Sequence, residues 1–184
     1  MAAQPQVRQA RIEDLYQVEG KAEIVNGRIV LMPPTGEDPG RASGSIYISL
    51  RQHERQVTGG RATPDNVAYG VTLPNRTAFS PDAAFHFRPP AGMKFINGAP
   101  AFAVEVRSEN DYGPAAEREM KQKRADYFVA GTLLVWDVDL LAEDVIKAYS
   151  ADDPEHPRIF KRGEIADAEP AVSGWRMPVD DLFS

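Results

Sequence analysis

The chain has 184 residues, of which 42% are hydrophobic and 26% charged, with a formal net charge of −6 and no cysteine. That length supports one domain spanning residues 1–184 with a buried core, and the lack of thiols excludes disulfides, thiolate zinc sites and cysteine nucleophiles. No apolar run of about 18 residues is present to cross a bilayer and no charged-then-apolar leader pattern opens the chain, so a cytoplasmic setting is expected.

The acidity is uneven. Residues 1–131 hold 16 Lys+Arg against 15 Asp+Glu, a net +1, whereas residues 132–184 hold 5 against 12, a net −7. A near-neutral first part is a weak electrostatic footprint for nucleic acid, and modest nonspecific affinity follows. His53, His86 and His156 are too scattered for a zinc-ligand pattern.

Residues 11–16 are predicted to form a short helix with Ile12, Leu15 and Tyr16 inward. Residues 23–32 carry a hairpin signal, because Asn26-Gly27 suits the positive φ that a type I′ turn needs at both central positions. A loop is expected over 33–40. Ile46, Leu50, His53 and Val57 recur at helical spacing, which predicts a helix over 43–57 with Arg51 and Arg55 outward and Gly59-Gly60 after it. Residues 67–73 alternate like a strand.

Two further alternating strands, 79–87 and 101–107, flank a loop containing Pro89, Pro90, Gly92 and Gly98. The pattern puts Phe85 and Phe87, or Phe102, Val104 and Val106, on one face, and Asp82, or Glu105 and Arg107, on the other. Paired as a hairpin, the strands bring Asp82 beside Glu105. Two adjacent carboxylates repel unless a cation lies between them, and such hard oxygen ligands suit Mg²⁺ or Mn²⁺.

A helix is predicted over 115–130, opened by Gly113-Pro114 and closed by Gly131. Lys123 falls on its apolar stripe of Ala116, Met120, Tyr127 and Ala130. An ammonium on an inward face needs an acid cluster or a phosphate to offset its desolvation. Residues 133–138 then form a buried strand, paired with 145–149 through a turn near 142–144. A loop covers 151–157, and the tail 175–183 packs back on the body. The whole pattern is α+β, a mixed and mainly antiparallel central sheet flanked by helices.

In their order along the chain, Ala22-Glu-Ile-Val-Asn-Gly-Arg-Ile-Val, Ser80-Pro-Asp-Ala-Ala-Phe, Phe102-Ala-Val-Glu-Val-Arg-Ser, Lys123-Arg-Ala-Asp-Tyr, Gly131-Thr-Leu-Leu-Val-Trp-Asp-Val-Asp and Gly174-Trp-Arg-Met-Pro-Val-Asp-Asp-Leu-Phe resemble the Uma-type restriction endonucleases of the PD-(D/E)xK nuclease superfamily. In most of that superfamily the lysine lies two residues after the glutamate, where this chain has Arg107; the Uma-type pattern places it on the following helix, where Lys123 matches. The family's N-terminal acid falls on Glu23. A histidine often found ahead of the family's second helix has no counterpart around 42–45.

The resemblance implies a restriction-endonuclease-like core and a bacterial, homodimeric, Mg²⁺- or Mn²⁺-dependent endodeoxyribonuclease. Asp82 and Glu105 would be direct metal ligands, the Val106 carbonyl would complete the oxygen shell, and Lys123 would orient water or the scissile phosphate. Glu23 could serve a second cation or hold a water, or else pair with Arg28 or Lys21. Arg107 could contact phosphate or neutralise Glu105. Ser108 fits a capping role, His86 a structural one, Tyr127 a core ring with its hydroxyl at the rim, and Trp136-Asp-Val-Asp139 a strand and turn. The residues alone also allow Asp82 and Glu105 to be sheet-face acids paired with Arg107 and Lys123. The protein would then be a noncatalytic nucleic-acid-binding or protein-interaction module; hydrolysis of RNA or a small nucleotide is a third reading.

Overall fold

The computed structural model describes residues 8–184. Its first element is a 3-10 helix, Ile12–Gln17, with Leu15 inward. Strands β1 (Ala22–Val25) and β2 (Arg28–Leu31) pair antiparallel, Ala22 opposite Leu31 and Val25 opposite Arg28. At the turn Asn26 and Gly27 have φ of 51° and 69°, as a type I′ hairpin requires.

Helix α1 (Glu37–Glu54) begins inside the segment predicted as loop and ends before Val57, which is 39% exposed. Pro39 does not prevent the early start, because N–H groups in a first turn have no intrahelical acceptor. Glu37 and Asp38 also complement the positive end of the helix dipole. The inward side is Ala42, Ser43, Ile46 and Leu50.

There follow β3 (Arg61–Thr63), β4 (Tyr69–Gly70), β5 (Arg76–Phe79), β6 (Ala83–His86), β7 (Ile96–Asn97) and β8 (Phe102–Val106). Helix α2 (Pro114–Val129) has proline at its first position, and Gly131 after it has φ 102°. The chain ends with β9 (Leu134–Val138), β10 (Ile146–Ser150), β11 (Arg158–Phe160), β12 (Ile165–Ala168), β13 (Val172–Pro178) and a 3-10 helix, Val179–Phe183.

Among the described residues the strands form a five-stranded sheet in the order β2-β1-β5-β4-β7, a six-stranded sheet β11-β10-β9-β8-β6-β3, and a ribbon β12-β13. The β4–β7 and β8–β9 pairs are parallel and the other pairs antiparallel. The parallel β8–β9 pair is joined through α2, since parallel neighbours need a crossover.

One expected strand, 79–87, is two. β5 ends at Phe79 in the smaller sheet and β6 begins at Ala83 in the larger, with Ser80-Pro81-Asp82 crossing between them. Pro81 has no N–H for a ladder. Phe87 lies past β6 and is 61% exposed, so it does not share the buried face of Phe85. The 67–73 segment contributes only β4 as a strand, although Val71 and Leu73 N–H still bond the Thr77 and Arg76 carbonyls at 3.0 Å.

Alternation in the central strands separates two cores. Phe85, Phe102, Val104, Val106 and Trp136 face α1 and pack with Ile46, Leu50 and the C-terminal Trp175, Met177 and Leu182. Ala84, Ala103 and Val135 face the other way, onto Tyr127 of α2 and onto Tyr69, Phe79 and Ile96 from the smaller sheet. Trp175 Nε1 donates to Ser49 Oγ at 3.0 Å, fastening the tail to α1.

Candidate active site

Asp82 stands at the crossing between the sheets, just before β6. Its N–H donates to the Val104 carbonyl at 2.9 Å, and its Oδ2 accepts the Val106 N–H at 2.7 Å. The carboxylate therefore acts as one more acceptor for β8, which fixes it at the C-terminal end of that strand. Glu105, on the α2 side of β8, presents its carboxylate to the same cleft, of about 710 Å³, together with Lys21, Glu23, Val106 and Lys123.

Lys123 fulfils the inward expectation. Its Nζ lies 2.8 Å from Glu105 Oε2 and 2.9 Å from Glu23 Oε1. The other Glu105 oxygen accepts the Tyr127 hydroxyl at 2.7 Å. Tyr127 is wholly buried, stacked on Phe79 with ring centroids 4.0 Å apart, so its hydroxyl is inside the cluster rather than at the rim.

Glu23 is the second residue of β1 and only 1% exposed, not a residue at the mouth of the hairpin. Its partners are neither Arg28 nor Lys21. Oε1 takes Lys123 and the Ser80 N–H at 2.9 Å, and Oε2 takes Arg76 Nη1 at 2.5 Å. Arg76 Nε continues to Asp126 at 2.9 Å, which Asn75 and Gln122 also reach, both at 2.8 Å. Lys21 instead bonds Asp82 and lies 2.7 Å from Asp65. Lys21, Arg76, Asp126 and the Tyr127 hydroxyl carry no local pattern that marks them as site residues. Their roles arise from the fold bringing β1, β5 and α2 together.

The electrostatics are unequal across the cluster. Burial drives the Glu105 carboxyl upward and Asp82 and Glu23 push the same way, so that it reaches about 7 despite Lys123. Burial also opposes ionisation of Glu23, but Lys123 and Arg76 outweigh it and hold that carboxyl below the usual range. For Lys123 the burial penalty is exceeded by Glu105 and Glu23, which keep it charged.

As candidate ligands, two carboxylates and a strand carbonyl are hard oxygen donors of the kind Mg²⁺ or Mn²⁺ prefers. Among the described residues no three His, Asp or Glu side chains form a cage. A Mg²⁺ ion fits such a sparse set, because it retains waters and commonly takes one or two carboxylates plus substrate phosphate.

Arg107 turns away from Glu105. It is buried, bonds Asp137 through Nε and Nη2 at 2.8 and 2.9 Å, and bonds Glu117 and the Asp111 carbonyl with its remaining donors. All five N–H donors of the guanidinium have acceptors, so it neither neutralises Glu105 nor presents a free fork to phosphate in this arrangement. Asp137 is held as well by Arg124 at 3.3 Å, which makes the Trp136-Asp-Val-Asp segment structural. Ser108 Oγ meets Thr35 Oγ at 2.9 Å rather than capping α2, whose N-cap is Gly113. His86 is 3% exposed, edge-on to Tyr69 at 5.8 Å, and accepts the Arg88 N–H on Nδ1. Arg51 pairs with Glu54 on the outer side of α1.

A family model, Uma2, described as "Putative restriction endonuclease", matches residues 11–180. The solved structure titled "Crystal structure of a putative nuclease belonging to DUF820 from Anabaena variabilis ATCC 29413 at 1.96 A resolution" superposes with a TM-score of 0.72 at 14% identity, over 95% of this chain and 97% of that one. At such identity the likeness speaks for the fold alone. No curated protein matches the chain. No helix among the described residues is long and apolar enough to cross a membrane. With its model matched from residue 11 to residue 180, the chain belongs to the Uma2 family and shares a PD-(D/E)xK-related nuclease fold.

Proposed function

We propose that this protein is a metal-dependent endonuclease that hydrolyses DNA phosphodiester bonds, working as a single nuclease-like domain in a cytoplasmic homodimer. The observation that carries the reading is the convergence of Asp82, Glu105 and Lys123 in one cleft, from a sheet crossing, a strand and a helix. Asp82 and Glu105 would hold Mg²⁺ or Mn²⁺. The Val106 carbonyl would join them, because its N–H points to Asp82 and an extended residue directs both backbone groups to the same neighbour. When bound, the cation supplies a Lewis acid for a nonbridging phosphate oxygen and lowers the pKa of water.

Lys123 is suited to bind and orient the scissile phosphate, and its charge stabilises the extra negative charge of the pentacoordinate state. Glu23 and Arg76 set the direction of Lys123 from behind. Tyr127 fixes the rotamer of Glu105, leaving its outer lone pairs for the cation.

Nicking of supercoiled DNA under Mg²⁺ or Mn²⁺, with and without EDTA, tests this reading. Asp82→Asn, Glu105→Gln and Lys123→Ala should each lower the rate by about two powers of ten while keeping a cooperative melt. Activity that persists in Asp82→Asn would belong to a contaminant. Absence of cleavage under both metals would favour the noncatalytic module. One observation already leans that way: Lys21, Arg76, Lys123, Arg107 and Arg124, the cations lining the cleft, are each bonded to a carboxylate.

A further inference from the structure

Lys21 precedes β1, and its ammonium sits on Asp82, the carboxylate read above as a metal ligand. It also lies 2.7 Å from Asp65, in the β3–β4 loop; the Lys21 side chain is 17% exposed and that of Asp65 42%. Lysine is a compact charge on a flexible stem and can exchange one carboxylate for another by changing rotamer. A divalent cation and an ammonium cannot share the same face of Asp82, because like charges in a partly buried site repel strongly. Asp65 offers the displaced ammonium a partner at the solvent edge.

Resting on that metal-site reading, we propose that Lys21 is a built-in counter-ion that holds Asp82 in the metal-free protein and moves onto Asp65 when a divalent cation binds. Lys21 and Asp65 then set metal affinity in opposite directions. The fraction of molecules with Asp82 free limits the apparent affinity, and removing the competitor removes that limit. Asp65 raises the fraction by giving Lys21 another partner.

Mn²⁺ titration of the full chain, followed by calorimetry and by the electron paramagnetic resonance of free Mn²⁺, reads this directly without an activity assay. Lys21→Met should bind about tenfold more tightly than wild type. Asp65→Asn should bind about threefold more weakly, and its effect should vanish in the Lys21→Met background, because Asp65 acts only through Lys21. Lys21→Gln, which keeps a polar head without the charge, should follow Lys21→Met and serves if the latter folds poorly. Crystals soaked in Mn²⁺ should show Lys21 Nζ on Asp65 and off Asp82.

Equal or weaker binding in both Lys21 variants would overturn the proposal. So would an Asp65→Asn effect of the same size in both backgrounds, which would mean charge acting through space. Asp82→Asn separates this from failure of the metal site: binding that is lost in Asp82→Asn yet indifferent to Lys21 sinks the counter-ion alone. Binding that ignores Asp82, or no binding in wild type and Lys21 variants alike, sinks the site and the counter-ion with it.

Discussion

Two ionic clusters flank the end of β8, two residues apart in sequence, and they are built on different cations. Around Arg107 a planar fork meets Asp137 and Glu117, with Arg124 behind. Around Glu105 the cations facing the cleft are Lys21 and Lys123, each a point charge shared between two acids, with Arg76 set behind them on Glu23. The first arrangement ties β8 and β9 to the first turn of α2 and leaves no donor unused. The second keeps a carboxyl whose burial its neighbours do not offset, since Glu105 is pushed up to about 7. On the proposed function, stability and chemistry would divide along one strand: the fork clamps the helix, and the lysines leave the carboxylates open to exchange.

Breaking the fork should have the largest effect. Arg107→Ala leaves Asp137, 2% exposed, with Arg124 as its remaining ionic partner, and losing one member of a buried pair costs about 3–5 kcal/mol. Urea melts should show that loss with and without Mg²⁺, because Asp137 is not among the proposed ligands. Recovery of stability by Mg²⁺ would place Arg107 in the metal site and erase the division. Removing Arg107 and Asp137 together for apolar residues should recover part of the loss, since the most deeply buried charge goes too and the groups that lose a partner, Arg124 and Glu117, are nearer solvent.

That division was half legible in the sequence. Alternation in 101–107 and the stripe of the 115–130 helix gave Glu105 and Lys123 their faces, because periods of 2 and 3.6 are local properties. Asp82 was readable in position but not in setting: the Ser80-Pro81 break moves it from a strand face to a sheet crossing. Arg107 shares a strand face with Glu105, yet its partners come from β9 and α2, which strand alternation does not reveal. Arg76, Lys21 and Asp126 were hidden for the same reason. A buried ion pair across more than 50 residues, such as Arg76 with Glu23, leaves no spacing to detect. The early start of α1 was concealed by Pro39, a residue that signals a loop unless it falls in a first turn.

The pH dependence of stability sharpens the comparison next. With Glu105 raised from 4.5 to about 7, the folded metal-free protein retains a proton that the unfolded chain has already released. Its stabilising contribution is complete below about pH 4.5 and is lost as pH rises to about 7. The fall should be on the order of 1–2 kcal/mol, given screening at a side chain that is 17% exposed. Glu23, held low by Lys123 and Arg76 against its burial, acts in the opposite sense and loses its contribution as pH drops below about 4.5. Melts in EDTA should therefore pass through a maximum in mild acid. Glu105→Gln should flatten the limb toward pH 7, and Mg²⁺ should restore stability there by binding the ionised form. A limb unchanged in Glu105→Gln would assign the titration to another group.

The most local change is Tyr127→Phe. The ring stack on Phe79 and the burial of the side chain survive, so the fold loses one hydrogen bond to a charged acceptor, about 1.5–3 kcal/mol when Glu105 is ionised. Less is lost below about pH 7, where Glu105 is protonated. A group that fixes a metal-binding carboxylate typically contributes about tenfold to metal affinity, and Mn²⁺ should bind the variant that much more weakly. The loss should shrink in a Glu105→Gln background, because the hydroxyl acts through that carboxylate. If Tyr127→Phe instead lowers stability equally at pH 5 and pH 8 and leaves Mn²⁺ affinity unchanged, the tyrosine belongs with the Arg107 fork as a clamp on α2, and the boundary between the two clusters has to be drawn closer to Lys123.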